Sequence, residues 1–550
     1  MRTQSATATI SHEVTVAGGV FAPGHLGELT QYLPFELVDD VLAETQTVPR
    51  RLRDLPSRAG VYFVLALGMF PHLGYLRVGG KLTAGRAGLD LPRPSEKALR
   101  DLRRRIGPAP LQALFEIVAR PLGQPHTSGV RFGGLRTVAF GGGNSGHIPG
   151  TDRNRRWIGK LRYRMGLAGY PALRLMTLAE TGTRALLGAA VGSAADRDES
   201  RLARRLLPLL GPGMLVLLDR AFDANAFLAE VAGTGAMLLA RAKATRNPAV
   251  VAHLPDGSYL ARLDDMPVRM VDADLAMPGA DGTRVADRYR LITTLTDHRA
   301  FPAAALVRLY HERWEIESAF LALRHTLLDG RVLRSGDRPG IEQELWALLI
   351  LYQLLRMAMV TAVETRPGTD PDRASFTSAL EAAREELTAA RGVCPDGPAD
   401  LAGVIGRAVL ATLLPARRLR YSARKVKCAT SRYLNRDDGR PHAATAITSI
   451  GITVRTPPLS RGRPRRYSPT RPRPPRPPTR RQKITAIITS QPPRDWTPRE
   501  LARMLNAHPR HLATQLREWS LLGFFTRTGL GTYRLNTPPP PPPSTTKPDP

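Results

Sequence analysis

Met214 to Leu218 reads MLVLL, five apolar residues in succession, and the run stops at Asp219. A stretch of that length with no polar alternation has no face to offer water, so it is expected as a strand inside an α/β sheet, covered on both sides. Functional groups in such sheets gather beyond the carboxyl ends of the strands, where Asp219 would stand. A strand-end aspartate also serves as a turn former or cap. Asp223, four residues on, is the better candidate for capping the helix expected over Ala224 to Ala232.

The flanking segments supply the rest of a mixed fold. Leu135 to Phe140 reads as a strand ended by Gly141-Gly142-Gly143, and the apolar runs Pro171 to Glu180 and Thr183 to Val191 meet at Thr181-Gly182, a hairpin signal. Ser200 to Leu210 reads as helix and Ala236 to Ala240 as a second buried strand. Short alternating segments over about 243–300, broken by Asp-Gly turns, form a β-rich insertion. Helix returns at Pro302 as one amphipathic run through Leu328. Leu345 to Val363 is long and apolar enough to cross a membrane, but Gln353 and Arg356 near its middle mark a buried core helix, so no membrane partner is expected. Residues 20–125 read as helical and include the basic segment EKALRDLRRR, Glu96 to Arg105, which suits DNA-end recognition or a solvated face equally well.

At 550 residues the chain should hold about three or four folded units. Lys and Arg number 79 against 48 Asp and Glu, a net charge of +31, which points to a polyanionic partner, with nucleic acid first. Residues 415–483 are basic, and within them Ser460 to Thr479 is a Pro/Arg tract that cannot build a core, so an extended linker is expected. Residues 484–536 read as folded: Thr497-Pro498-Arg499-Glu500 is a capping box with proline at the first helical position, a second helix follows from Pro509, and two short strands flank Gly529-Leu530-Gly531. That order resembles a winged helix-turn-helix. The tail, 537–550, is proline-rich and expected to be disordered. Cys394 and Cys428 stand alone, which excludes a disulfide framework or a structural zinc site, and Met1 to Val20 lacks the continuous apolar stretch of a signal peptide. A cytoplasmic location is expected.

Tyr310, Arg313, Glu317 and Arg324 follow one another at intervals of three, four and seven, which puts all four on one helix face. A glutamate with cations one turn before and two turns after it suits a metal ligand beside phosphate-gripping arginines. The same spacing also serves an ordinary ion pair on a solvated helix. Phosphodiester cleavage by two metal ions needs carboxylates that hold the ions about 3.5–4 Å apart, and magnesium prefers oxygen ligands.

These residues match the pattern Y-x2-R-x3-E-x6-K, with Arg324 in place of the final lysine, and so resemble the signature of the insertion-sequence-4 (IS4) family of DDE transposases. MLVLLDRAFD, Met214 to Asp223, is similar to that family's second-aspartate block, and Thr137 to Asn154, TVAFGGGNSGHIPGTDRN, to its first. The resemblance spans about residues 20–410 and includes the opening Phe21-Ala22-Pro23-Gly24. It implies a helical N-terminal domain over 20–125 and an α/β, RNase H-like (retroviral-integrase-like) catalytic domain over 131–410. It further implies two Mg²⁺ or Mn²⁺ ions, and cleavage and strand transfer on double-stranded DNA at the element's inverted repeats by a dimer. On this match Asp219 and Glu317 would be catalytic metal ligands, and Tyr310, Arg313 and Arg324 would contact DNA phosphates.

One departure bears on activity. Where the first aspartate should follow Val138-Ala139-Phe140 the chain has Gly141, and Gly150 replaces a second aspartate of that block. Impaired catalysis is therefore expected, and Asp152, well beyond the strand end, is poorly placed to compensate. The alternative is a DNA-binding regulator of transposition without catalysis. A ribonuclease-like reading of the same core fits the Tyr-Arg-Glu cluster less well.

Overall fold

The computed structural model describes residues 25–48, 55–86, 94–159, 162–163, 166–167, 170–192, 196, 198–279, 282, 284–313, 319–391, 402–416, 420–421, 425–427, 433–435, 445–457, 480–521, 524–529 and 531–536. Glu317, the Pro/Arg tract from 460 to 479 and the tail from 537 lie outside them. The chain divides into two compact units, 1–461 and 462–550.

The first unit opens with five helices, α1 (Phe35–Glu44), α2 (Ser57–Met69), α3 (Tyr75–Thr83), α4 (Glu96–Ile106) and α5 (Ala109–Val118). Helix α4 is well bounded. The Ser95 side chain accepts from the Ala98 amide at its start, Arg103 to Arg105 complement the dipole of its last turn, and Gly107 at φ 66° ends it. Helix α2 is apolar almost all round and is buried accordingly.

Next come β1 (Arg131–Phe132), β2 (Leu135–His147), α6 (Asp152–Ile158), β3 (Ala172–Glu180), β4 (Leu186–Gly192), α7 (Glu199–Arg204), β5 (Met214–Leu218), α8 (Asn225–Gly233) and β6 (Met237–Arg241). Strands β2, β3 and β4 form an antiparallel meander, whereas β5 lies parallel to β2 and β6 parallel to β5. The insertion adds β7 (Val250–His253), β8 (Tyr259–Leu263), β9 (Met266–Pro278) and β10 (Arg284–Thr293). These strands do not form a separate lobe. They extend one sheet, in the order β4-β3-β2-β5-β6-β10-β9-β8-β7, a large mixed sheet consistent with an RNase H-like domain.

Three sequence expectations change. Strand β2 does not stop at Phe140 but runs through the glycines, pairing Gly141 with Thr177 and Gly142 with Met176. The backbone ladder needs no side chain there, and a Cβ at Gly142 would come within 2.4 Å of Met176 Cε. The helical run from Pro302 is described in two parts, with 314–318 outside the described residues: α9 covers Ala303–Glu312, and Ala322–Leu327 widen to π-type spacing. Part of the expected linker belongs to the sheet, because β11 (Gly451–Arg455) pairs antiparallel with β9, Ala273 opposite Val454. Its alternating Ile452 and Val454 pack on the main core, which is why the segment is strand.

Helices α10 (Arg338–Glu364), α11 (Phe376–Ala389) and α12 (Gly403–Ala411) close the unit. The apolar window of α10 is 94% buried inside the protein, so this helix is core. Its midpoint Gln353 accepts from the Leu186 amide (2.8 Å) and donates to the Arg120 carbonyl (3.2 Å), tying β4 to the end of the N-terminal helices. Those helices share one core with α10, and the joint is polar at one place. Buried Arg103 of α4 reaches Glu344 (2.6 Å), Gln343 (2.6 Å), Ser335 (2.8 Å) and the Gly340 carbonyl (2.9 Å). Glu28, near the start, accepts from the Val404 and Ile405 amides (2.6 and 3.1 Å) at the first turn of α12.

Helix α9 is fixed at its N-terminus by the insertion. Arg269 of β9, with no solvent exposure, donates to the Phe301 carbonyl (2.7 Å) and Ser258 Oγ (2.8 Å) and pairs with Asp256. Asp256 in turn accepts from the Ala303 amide (2.9 Å), the first residue of α9. Burial alone would raise the Asp256 carboxyl. Hydrogen bonds from Ser258 and Ala303, together with the Arg269 charge, outweigh it and hold the group below the ordinary aspartate value.

The second unit comprises α13 (Arg480–Thr489), α14 (Pro498–Met504), α15 (Pro509–Leu521), β12 (Phe525–Gly529) and β13 (Thr532–Leu535). The reciprocal Thr497–Glu500 capping box is present, and Asn506 at φ 48° makes the turn between α14 and α15. Trp496 exchanges both backbone hydrogen bonds with Tyr533 (2.8 and 2.9 Å), adding a third edge to the hairpin. Ile484, Leu501, Leu512, Leu516, Trp519 and Phe525 fill a core of its own.

Two predictions follow from the buried arginines. Arg103→Ala leaves Glu344 buried without its cation and should cost about 3–5 kcal/mol in urea unfolding, whereas exposed Arg104→Ala should stay within about 0.5 kcal/mol. Because the Asp256 carboxyl is depressed in the folded state, its stabilisation is present above the ordinary aspartate range and is lost as pH falls through the depressed value. Stability measured from about pH 5 down to pH 2 should therefore fall less steeply in Asp256→Asn than in the wild type, from a lower starting stability.

Candidate active site

The two parallel strands β2 and β5 define the site. Arg136 to Ala139 pair in register with Met214 to Leu217, so two residues further along each chain stand Gly141 and Asp219, on neighbouring strands whose spacing is about 4.8 Å. Asp219 keeps extended backbone at φ −75° and ψ 165°, and its carboxylate accepts from the Arg220 amide at 2.6 Å. It is half-buried at the carboxyl end of β5, the place the apolar run implied. Gly141 beside it is buried, and its carbonyl accepts from Thr177 Oγ1 at 3.3 Å.

Helix α9 comes to the same strand end. Tyr310, only 4% exposed, donates its hydroxyl to the Leu218 carbonyl at 3.1 Å, one residue before Asp219. Burial raises the Tyr310 phenol above its ordinary value; Arg313 opposes the rise and Asp219 adds to it, so both charges act at this ring. The Arg313 guanidinium lies 5.8 Å from the Tyr310 ring centre. Tyr289 meets Tyr310 edge-on at 5.6 Å, shares a hydrogen bond with His311 Nδ1 (3.1 Å) and carries Arg241 over its other face at 4.4 Å. Tyr310 is therefore committed to the strand end, an arrangement that orients Asp219 rather than offering a hydroxyl to solvent.

Of the residues singled out from sequence, the structure brings Asp219, Tyr310 and Arg313 together. Arg324 lies half-buried in the π-type turn after α9, and Glu317 is outside the described residues. Asp223 is not the cap of α8, where Ala224 stands with no side-chain bond. It is buried instead, paired with Arg246 at 2.6 Å and accepting from the Lys243 amide at 2.7 Å. Asp152 is exposed on the first turn of α6 and faces Arg155 at 3.7 Å. A Cβ at Gly150 would meet the same Arg155 guanidinium at 3.3 Å, so a carboxylate at this position would stand beside a cation.

Sequence reasoning missed Glu199. It opens α7, which packs across β2, β3 and the turn at Arg220–Phe222, bringing its carboxyl near Asp219. Although the residue keeps solvent contact, the surrounding protein raises its carboxyl, Asp219 and Asp198 add to the rise, and Arg174 opposes it. The only sequence signal was the helix-opening Asp198-Glu199-Ser200, which reads as an N-cap, and Asp198 does accept from the Ser200 amide.

Gly141 offers no oxygen from its side chain, and among the described residues no group of three His, Cys, Asp or Glu stands close enough to hold a metal.

Comparison with known proteins accounts for the arrangement. Residues 23–116 match the family described as insertion element 4 transposase N-terminal, and residues 147–354 match the transposase DDE domain. The chain is 26% identical over 414 residues to transposase InsG for insertion sequence element IS4 of Escherichia coli (strain K12), covering 73% of this chain and 92% of that protein. It is also 28% identical over 171 residues to the putative transposase y4zB of Sinorhizobium fredii (strain NBRC 101917 / NGR234), covering 30% of this chain and 47% of that protein. With the two family segments in succession and a relative matched along nearly its whole length, the chain carries the N-terminal and DDE domains of an IS4-type transposase.

Proposed function

We propose that this transposase binds the ends of its element as double-stranded DNA but is impaired in cleavage and strand transfer, because Gly141 stands where the family's first aspartate would. What supports this reading is the parallel β2–β5 register, observed as far as Ala139 opposite Leu217, which continued by two residues on each strand brings Gly141 to the level of Asp219. DDE transposases are typically metal-dependent, with Mg²⁺ or Mn²⁺ supplying the charge that activates the attacking oxygen. Here the acidic residues assigned to that chemistry are Asp219 and Glu317, one carboxylate short. Arg313 and Arg324 are assigned to DNA phosphates near the cut, where a planar guanidinium binds two oxygens at once. Tyr310 is assigned to holding the end of β5, through its bond to the Leu218 carbonyl. Two copies acting on paired ends, in the bacterial cytoplasm, complete the proposal.

A second reading is favoured by the same glycine: a DNA-binding regulator that occupies transposon ends without cutting them. The two readings part on repair of the site. In nicking assays on a transposon-end duplex with Mg²⁺ or Mn²⁺, the wild type should cut poorly. Gly141→Asp should gain at least about 10–100-fold, since disturbing even the outer partners of a metal ligand costs that much. Asp219→Asn added to Gly141→Asp should abolish the gain. Efficient cutting by the wild type refutes the impairment. A Gly141→Asp protein that binds the duplex as tightly as the wild type yet gains nothing refutes the decayed-enzyme reading and leaves the regulator.

A further inference from the structure

Both family matches end by residue 354, yet the second unit of the chain is folded around its own core. Its helices α14 and α15 meet through a short turn, and the β12–β13 hairpin follows directly, with Trp496 paired along β13. Helix α15 turns Leu512, Leu516 and Trp519 inward, at intervals of four and three, so its apolar face is used up inside the unit. Arg517 is exposed on α15, Arg527 on the hairpin, and Arg499 and Arg503 on α14. Of the acids in the unit whose side chains are described, Asp495 is matched by Arg534 at 2.8 Å and Glu500 by Arg494 at 3.3 Å, while the Glu518 side chain lies outside the described residues. Cationic charge is thus left over on the two helices and the hairpin. Large exposed apolar side chains are nearly missing among the described residues of this unit, Met504 being the exception, which argues against a protein-docking face.

We propose that the second unit is a separate double-stranded DNA-binding module, which seats α15 in the major groove with Arg517 toward the DNA and lays the β12–β13 hairpin, through Arg527, on the flanking backbone. A helix fits the major groove of B-form DNA, whereas the corresponding groove of duplex RNA is too deep and narrow for it. The module therefore selects DNA over RNA duplex. This inference does not depend on the state of the active site, because binding is read without cleavage.

Hydrogen exchange of the full chain with and without a random-sequence 30-base-pair DNA duplex tests it. Peptides covering 509–529 should gain protection with DNA, and an RNA duplex of the same length should give none there. In parallel, Arg517→Ala/Arg527→Ala should weaken DNA binding about tenfold near 0.1 M salt and make the log–log salt slope shallower by about 1–2, the share of two released counterions. Both side chains are exposed, so exchange in the peptides bearing Leu501 and Leu516 should match the wild type without DNA, confirming the fold. Protection confined to the first unit overturns the proposal, as does equal protection by RNA duplex or an unchanged salt slope in the folded variant.

Discussion

A guanidinium with no access to solvent anchors the helix beside the site to the β-rich insertion. Arg269 is held on a sheet strand, and through the Phe301 carbonyl and Asp256 it fixes where helix α9 begins. A buried cation is tolerated only with its charge met and its donors satisfied, and here the partners that satisfy it are also the start of the helix that carries Tyr310 and Arg313. The β-rich insertion is thus part of the site's framework. The position of Tyr310 over the end of β5, and through it the surroundings of Asp219, follow from that anchor.

The site itself is lopsided. One of the two central parallel strands ends in a carboxylate and the other passes the same level as glycine, with no side chain to meet it. Around Asp219 the protein has kept the tyrosine–arginine column and an acidic residue, Glu199, on the neighbouring helix. The fold assembles with no side chain at Gly141, since β2 runs straight through the glycines in register with β3. Fold and chemistry are separable here because the strand is held by its backbone ladder, which is indifferent to the side chain at Gly141.

Much of this was legible in the chain. The apolar run Met214 to Leu218 announced a buried strand, and Gln353 with Arg356 distinguished a core helix from a membrane span. The winged-helix order was visible from Thr497-Pro498-Arg499-Glu500 and the glycine-tipped hairpin. What could not be read were the partnerships between distant segments. Nothing local to Gly141-Gly142-Gly143 says that the strand continues, because the pairing with Thr177 to Leu175 that carries it lies on another segment. The basic surroundings of Gly451 to Arg455 hid a strand whose pairing partner is in the insertion. Glu199 went unread in the sequence because its relation to Asp219 arises only when α7 crosses the sheet. Asp223 looked like a cap because Arg246, twenty-three positions on, was not a visible partner.

The burial of α2 against α10 carries a consequence for biogenesis. Helix α2 is apolar on nearly every side; α1, α3 and α4 cover part of it, and the face that meets α10 stays open until Arg338 and beyond are synthesised. At about 5–20 residues per second a ribosome needs tens of seconds to travel from Met69 through that point. Throughout that interval the emerging segment must be shielded by something other than its final neighbour. Glu28 waits longer still, since the helix start it seals at Val404 is made later again. The α10-facing side of α2 is therefore among the last surfaces to reach its native environment, which makes the yield of folded protein sensitive to chaperone supply and to the pace of elongation.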